Sequence, residues 1–408
     1  MPFSMRCQNL YSVDKCVLFI YVHEPCWDVG CLILILEYMK RLFKSLHLWL
    51  SLPAGVFIVI LCLTGAVLAF QQEIQSIVNP SFYEVSEFRK ERLPLDSLAR
   101  CVERQALSSG HSLESVTYYA DSSRTVGFGI SGKKGIYYTI NPYTAEITGS
   151  EQPMGGFFTS VRGLHRWLLL GGDLRGIGRI IMGILTLFLI VILISGIAVS
   201  LPKSFRNIKS VLSIRRGRDA FLLWFTSHRA LGVYCVVFLL LMAATGPMWT
   251  FSWYRSGVAK IFGTEMQARE RNNHNQSEKR DRSDVRKNRS VDYSRWSRAV
   301  AEISIIEPTY QSISISGDKA SVKTASHHQR ASDTYKLDKD GHVVGIQYYS
   351  QQPASSKIMG YAFIIHTGLW GGILVKFLYL LACIGGVYLV VSGYVLYIRR
   401  TRRATQNK

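Results

Sequence analysis

The chain has 408 residues, 48% of them hydrophobic, and a formal net charge of +20 at pH 7. That charge raises nucleic acid as a partner, yet the cations gather beside apolar blocks and no basic patch sits on a recognisable nucleic-acid fold, so nucleic acid is excluded. The eight cysteines show no metal spacing: Cys7, Cys16, Cys26 and Cys31 lie in the first 38 residues, Cys62, Cys235 and Cys383 in apolar blocks, and Cys101 alone, which excludes a disulfide scaffold and a zinc site.

Residues 1–38 contain two apolar runs, "CVLFIYV" and "CLILIL", too short to span a bilayer and without a signal-peptide layout. "MKRLFKSLHLWL" from Met39 reads as a natural start, so 1–38 is predicted to be an N-terminal extension, dispensable or the result of a misassigned start. Four long apolar blocks follow: Leu46 to Phe70, Ile180 to Leu201, Leu231 to Phe251 and Phe377 to Ile398, each close to the ~20 residues that cross a hydrocarbon core. Backbone groups in lipid must be satisfied within their own segment, which makes each block an α-helix. The predicted order is transmembrane helix 1 over 40–71, an exported domain over 72–157, helix 2 with a juxtamembrane segment over 158–201 and a loop over 202–221. Helix 3 over 222–252, a second exported domain over 253–357, helix 4 with its juxtamembrane segment over 358–398 and a tail over 399–408 complete it.

Orientation follows from the basic flanks "MKRLFK", "PKSFRNIKSVLSIRRGRD" and "RRTRR", which belong in the cytoplasm. Both termini are then cytoplasmic, and in a bacterial inner membrane the two long connections face the periplasm. Each exported region is predicted as a small α+β unit. "GIYYTINPYTAEITG" and "DTYKLDKDGHVVGI" read as strand, Asx-containing turn and strand, and the helices in "LPLDSLARCVERQAL" and "VDYSRWSRAVAEI" start at an Asp N-cap. The stretch 266–298 has too few apolar residues to pack and is predicted as a solvated loop.

The two halves repeat one plan. "HLWLSLPAGVFIVILCLTG" and "HRALGVYCVVFLLLMAATG" place His47 and His228 at identical distances from Thr64-Gly65 and Thr245-Gly246. "HRWLLLGGDLRGIGR" and "HTGLWGGILVK" bring His165 and His366, followed by Ser195-Gly196 and Ser392-Gly393. The fold class is thus an α-helical integral membrane protein with four transmembrane helices in two tandem-repeat halves and two small α+β periplasmic domains.

Ionisable residues at spans mark function by default. The topology puts His47 and His228 near the cytoplasmic face and His165 and His366 near the periplasmic face, with a core of about 30 Å between the levels, so partners come from opposite halves. A bare zinc ion wants two further ligands at each level, and the spans offer no suitable Cys, Asp or Glu; haem iron lacks only axial ligands, and two histidines supply them. Two b-type haems fit, an inner one on His47 and His228 and an outer one on His165 and His366. The glycines either make room for the flat macrocycles or let helices approach closely. Arg162, Arg166, Arg179 and Lys376 at the outer level, and Lys44 and Arg229 at the inner, serve as propionate partners or as interfacial anchors beside Trp167 and Trp370. His111, His274, His327, His328 and His342 lie in exported loops; the "SHHQ" pair touches a metal or ferric substrate or is merely solvated.

With these duplicated spans and the "YTINPYTAEI" turn, residues 40–400 resemble the PepSY-associated transmembrane family. The resemblance implies a PepSY character for the exported domains, an inner-membrane place in iron uptake, and, as in the family's di-haem reductases, His47, His165, His228 and His366 as haem ligands. The expected function is transmembrane electron transfer from the inner to the outer haem and on to a periplasmic ferric siderophore or other ferric chelate, releasing Fe(II). No catalytic residue is expected beyond the haems, and the protein's remaining partner is membrane lipid. "GGDLRGIG" opens a membrane segment instead of a βαβ unit, so no dinucleotide site is expected and electrons come from quinol or a separate reductase. The rival readings are a non-enzymatic PepSY protein that binds or regulates an exported partner such as a peptidase, and a siderophore or metal transporter.

Overall fold

The computed structural model describes residues 29–85, 91–133, 135–202, 207–217, 219–265 and 292–406. Cys7, Cys16, Cys26 and most of the 1–38 extension lie outside the described residues, as do 266–291 of the expected solvated loop, with His274. Four helices are long and apolar enough to cross a membrane, over Glu37–Ala69, Leu174–Ser200, Ala220–Trp249 and Leu369–Gln406. The protein is a helical membrane protein. The first of these helices, α1 (Val29–Ala69), begins N-terminal to Met39, so residues 29–38 are helical and continuous with the first span.

A short amphipathic helix, α2 (Gln71–Val78), leaves the end of α1. The chain then forms α3 (Leu95–Ser108), strands β1 (Leu113–Tyr119), β2 (Val126–Ile130), β3 (Tyr138–Ile140) and β4 (Ile147–Ser150), and helix α4 (Gly155–Trp167). The second span is α5 (Leu174–Ser200); α6 (Ile208–Leu212) and the third span's helix α7 (Ala220–Thr245) follow. The second half repeats this order with α8 (Ser252–Ile261), α9 (Ser294–Ile306), β5 (Tyr310–Ser316), β6 (Lys319–Thr324), β7 (Asp333–Leu337), β8 (Val343–Gln347), α10 (Ala354–Thr367) and α11 (Gly372–Gln406).

The spans bury one wall and expose another, both apolar. Ile58, Leu189, Leu239 and Ala382 pack in one core cluster, while Val56, Leu63, Ile184, Val237 and Ile384 are exposed, as a lipid-facing surface requires. Gly385 and Gly386 of α11 lie against the thiols of Cys235 and Cys62, so α11 approaches α7 and α1 at small residues.

Two breaks set His165 and His366 off from the spans that follow them. Leu168 and Leu169, both left-handed at φ 56° and 58°, end α4 before α5 begins, and the missing Cβ of Gly178 admits the Trp167 carbonyl. In the second half Gly368, at φ 75°, ends α10, which costs less than placing leucines there. His165 and His366 therefore sit at the ends of short helices, with the spans following.

The expectation of two small exported units is corrected. The strands form one eight-stranded antiparallel sheet in the order β4-β3-β2-β1-β5-β6-β7-β8. The halves meet at the β1–β5 seam, where Val116 stands opposite Ile315 and Tyr118 opposite Ile313. Helices α3 and α9 contribute to one shared core, in which Leu98, Val102, Phe128, Trp296, Ile303 and Ile315 are buried. An edge strand left unpaired would be a row of open backbone groups, and the seam removes one such edge from each half.

Both expected Asx turns are present. Asn141 Oδ1 accepts the Tyr143 N–H at 2.9 Å, and Asp338 Oδ1 accepts those of Asp340 and His342 at 2.9 and 2.8 Å. The helix caps differ. Asp292 accepts the Ser294 N–H at 2.9 Å from one residue before the cap position of α9, which Tyr293 occupies, whereas α3 starts after Pro94, and Asp96 lies in its first turn, paired with Arg100 at 3.2 Å. Pro94 is the cap residue of α3 and makes no side-chain cap bond.

Because the core is shared, Ile315→Ala is expected to destabilise the sheet by about 2–5 kcal/mol and to lower hydrogen-exchange protection in β1 and β2 as well as in β5 and β6. Unchanged protection in β1 and β2 would mean that the two halves of the sheet unfold independently.

Candidate functional site

The four histidines predicted from the spans come together in two pairs. The His47 and His228 rings have centroids 6.3 Å apart, and those of His165 and His366 are 6.2 Å apart. Each pair joins opposite halves of the chain, as the order of the spans predicts. The levels are separated along α1 by the seventeen residues from His47 to Thr64, and along α7 by the seventeen from His228 to Thr245, a rise of ~25 Å. The His165–His366 level is the one next to the sheet, since β4 leads into α4 and β8 into α10.

Each imidazole is held through Nδ1 by a neighbouring helix of its own half. His47 Nδ1 lies 2.9 Å from the Ile192 carbonyl and 3.3 Å from Ser195 Oγ; His366 Nδ1 lies 3.0 Å from both the Met242 carbonyl and Thr245 Oγ1. A carbonyl only accepts, so these Nδ1 atoms carry the proton. His165 Nδ1 meets Thr64 Oγ1 at 2.8 Å, and His228 Nδ1 meets Ser392 Oγ at 2.8 Å. Those hydroxyls donate to carbonyls of their own helices, Thr64 to Ile60 and Ser392 to Tyr388, which leaves an oxygen lone pair to accept from Nδ1–H. All four rings are thereby fixed as Nδ1–H tautomers. Nε2 of each keeps its lone pair and, among the described residues, has no hydrogen bond.

The Thr-Gly and Ser-Gly pairs thus act on the imidazoles. A Cβ at Gly65 would sit 3.3 Å from His165 Cε1, one at Gly196 3.1 Å from His47 Cε1, and one at Gly393 3.6 Å from His228 Cε1. The bare Cα makes room for the ring, and the adjacent hydroxyl orients it. Neither role is visible in the spacing alone, which suggested space for a macrocycle or for a bare helix contact.

A cavity of about 600 Å³ opens at the sheet-side level. Its walls include Gly65, His165, Thr186, Gly246, Trp249, Phe363 and His366, with Cys62 and Cys383 deeper in the bundle. Trp249 stands edge-on to His366, with centroids 5.3 Å apart, on the single turn of 3-10 helix after α7. Arg162, Arg166, Arg179 and Arg330 also line it, and no carboxylate does among the described residues. Loss of hydration, then the neighbouring guanidiniums of Arg179, Arg162 and Arg175, hold Arg166 below the ordinary arginine range. Burial of the guanidinium is the larger cause, and crowding by like charges adds to it.

The expected cations therefore divide. Arg162, Arg166 and Arg179 face the cavity, whereas Lys376 is buried and paired with Glu73 at 2.6 Å. At the far level Arg229 donates to the Ser210 carbonyl, and Lys44 is exposed. Arg330, which the sequence reading passed over, lies two residues after the flagged histidine pair. His327 and His328 are half-buried rather than solvated: His327 Nε2 is 3.6 Å from Asp333, and His328 Nε2 is 2.8 Å from the Tyr349 hydroxyl. His342 faces Glu302 at 3.2 Å, and the His111 ring lies 6.5 Å from that of Tyr137. Trp370 is half exposed, as a membrane-interface residue would be.

No group of three or more His, Cys, Asp or Glu side chains that could hold a bare metal ion occurs among the described residues. Two imidazoles alone complete the coordination of a metal that brings its own equatorial ligands. With metal–nitrogen bonds of about 2 Å and ring centres ~1 Å behind each nitrogen, two imidazoles on one metal have centroids ~6 Å apart, the spacing found at both levels. The residues present fit such a group.

A helical membrane protein with four apolar spans, carrying facing histidine pairs at two levels, is the class that this fold and site define. The chain belongs to the PepSY-associated transmembrane family, whose model for the PepSY-associated TM region matches residues 44–400. No curated protein matches it.

Gly196→Ala is expected to force the His47 ring aside and cost about 1–3 kcal/mol, read as a lower thermal midpoint in detergent. Gly156→Ala, where a Cβ meets nothing, is expected to leave the midpoint unchanged or raise it slightly.

Proposed function

We propose that the protein is a di-haem b electron-transfer protein of the bacterial inner membrane that reduces ferric siderophores or other ferric chelates on the periplasmic side, releasing Fe(II) for uptake. The observation that carries this reading is the pairing of four Nδ1–H imidazoles, each with an Nε2 that bonds to none of the described residues, at the spacing of two ligands on one metal. Metal-bound histidines characteristically donate their other N–H to an oxygen, and such bonds tune the metal. The tandem resemblance of the halves also supports it, since each half supplies one ligand per level.

His47 and His228 would hold the haem at the cytoplasmic level, and His165 and His366 the one at the periplasmic level. Bound haem supplies reversible one-electron iron chemistry, with a potential set by its axial ligands and their hydrogen bonds. The chain's own residues do the rest. Ser195, Ser392, Thr64 and Thr245 fix ring orientation, and the Ile192 and Met242 carbonyls raise the basicity of His47 and His366 by accepting their Nδ1 protons. The buried side chains between the levels, among them Ile58, Leu185, Ile192 and Val236, are apolar. Arg162, Arg166 and Arg179 supply positive charge for propionates at the periplasmic level. One electron converts Fe(III) in a chelate to Fe(II), and hard oxygen donors hold the less charged ion more weakly. The electron donor is quinol or a separate reductase on the cytoplasmic side.

Protein purified from haem-replete cells is expected to contain two low-spin b-type haems per chain, with His47→Ala and His165→Ala each removing a different one. Its reduced form is expected to be reoxidised by ferric chelates faster than a haem-free control. A colourless preparation would sink the reading and favour a binding or transport role; haems without reoxidation would leave a cytochrome that is not a ferric reductase.

A further inference from the structure

Four arginines line the sheet-side cavity, and no carboxylate lines it among the described residues. The two propionates of a haem would neutralise only half of that charge. Three of the arginines sit on or beside the histidine helix of the first half. The fourth, Arg330, reaches the cavity from the sheet, on the connection between β6 and β7.

That connection is anchored rather than loose. The His327 Nδ1 accepts the Thr324 N–H at 3.4 Å, and its Nε2 faces buried Asp333. His328 Nδ1 accepts the Arg330 N–H at 3.2 Å, which makes Nε2 the protonated nitrogen, and it donates to the Tyr349 hydroxyl at 2.8 Å. The His328 ring also packs on Tyr361 of α10, centroids 4.9 Å apart, and a Cβ at Gly360 would lie 3.2 Å from it. This seats the guanidinium of Arg330 over the Phe363 ring, 3.8 Å from its centre and one helical turn before His366. Lys323, whose amine lies 2.9 Å from the Gln329 carbonyl, adds a second cation to the connection; loss of hydration and then Arg330 itself hold it below the ordinary lysine range.

We propose that Arg330 is a docking residue for an anionic iron chelate with free carboxylates, at the mouth of the sheet-side cavity. This rests on the reductase reading and names its substrate class. A guanidinium fork matches a carboxylate bidentately, and an exposed one perched on an aromatic face keeps its donors free to pair. The histidine pair flagged in the sequence then has a positioning role: it holds the connection that presents Arg330.

The test is equilibrium binding of gallium(III) citrate, a redox-inert stand-in for the ferric chelate, to the full chain in detergent, followed by tryptophan fluorescence. Wild type is expected to bind it, and added sodium chloride to weaken that binding. Arg330→Gln is expected to weaken it about tenfold or more and Arg330→Lys less, with size-exclusion profile and haem absorbance unchanged. The cationic gallium complex of desferrioxamine B is expected to bind more weakly and to be indifferent to Arg330→Gln. Unchanged citrate binding in Arg330→Gln, equal binding of both complexes, or no citrate binding by wild type would each overturn the proposal. So would loss of the outer haem in Arg330→Gln with citrate binding intact, which would assign the guanidinium to a propionate. Failure of the reductase reading looks different: gallium citrate would bind with the stated dependence on Arg330, yet ferric citrate would not reoxidise the reduced protein.

Discussion

The hydrogen bond from each histidine Nδ1 to an oxygen on a neighbouring helix is the constraint on which the rest depends. A polar ring in an apolar bundle is costly unless it is bonded, and here one bond satisfies the ring and decides which nitrogen remains available. These bonds run within a half: His47 to α5, His165 to α1, His228 to α11 and His366 to α7. The ring pairs run between halves. Orientation is therefore set locally and pairing globally, and displacing one helix would disturb both levels.

The sheet joins the halves a third time. Its seam lies between β1 and β5, so strands separated by nearly two hundred residues share a core with α3 and α9. One consequence is positional. The β6–β7 connection, tied to the sheet by His327 and to α10 by His328, carries Arg330 to the cavity beside His366. The extramembrane part and the bundle thus build the mouth of the cavity together, and under the proposed function the sheet bears on what reaches the outer redox site.

Much of the bundle was legible because its signals are local and repeated. Apolar length marked four spans, the order of the spans put the histidines at two levels, and the common seventeen-residue interval from His47 to Thr64 and from His228 to Thr245 marked a shared plan. The Asx turns at Asn141 and Asp338 were equally plain, since a side chain accepting from a backbone two residues ahead is written in a few consecutive positions. The seam was not legible: alternation marks a strand but not its partner across the chain. Lys376 read as a free cation because Glu73, its partner, lies 303 residues away. Arg330 had no signal except its closeness to His327 and His328, and the glycines' service to the imidazoles needed the crossing of two helices to become visible. Asp96 resembles a cap in sequence because an Asp beside a helical pattern fits both the cap and the first turn, and in α3 it occupies the first turn.

Low-temperature electron paramagnetic resonance of the oxidised protein tests the central claim most directly. The ring planes are 89° apart in the His47–His228 pair and 67° apart in the His165–His366 pair. Imidazole planes that far from parallel leave the iron d orbitals nearly degenerate, so the account requires two low-spin ferric signals, both strongly anisotropic. A high-spin ferric signal, or no haem signal from protein made in haem-replete cells, would contradict it.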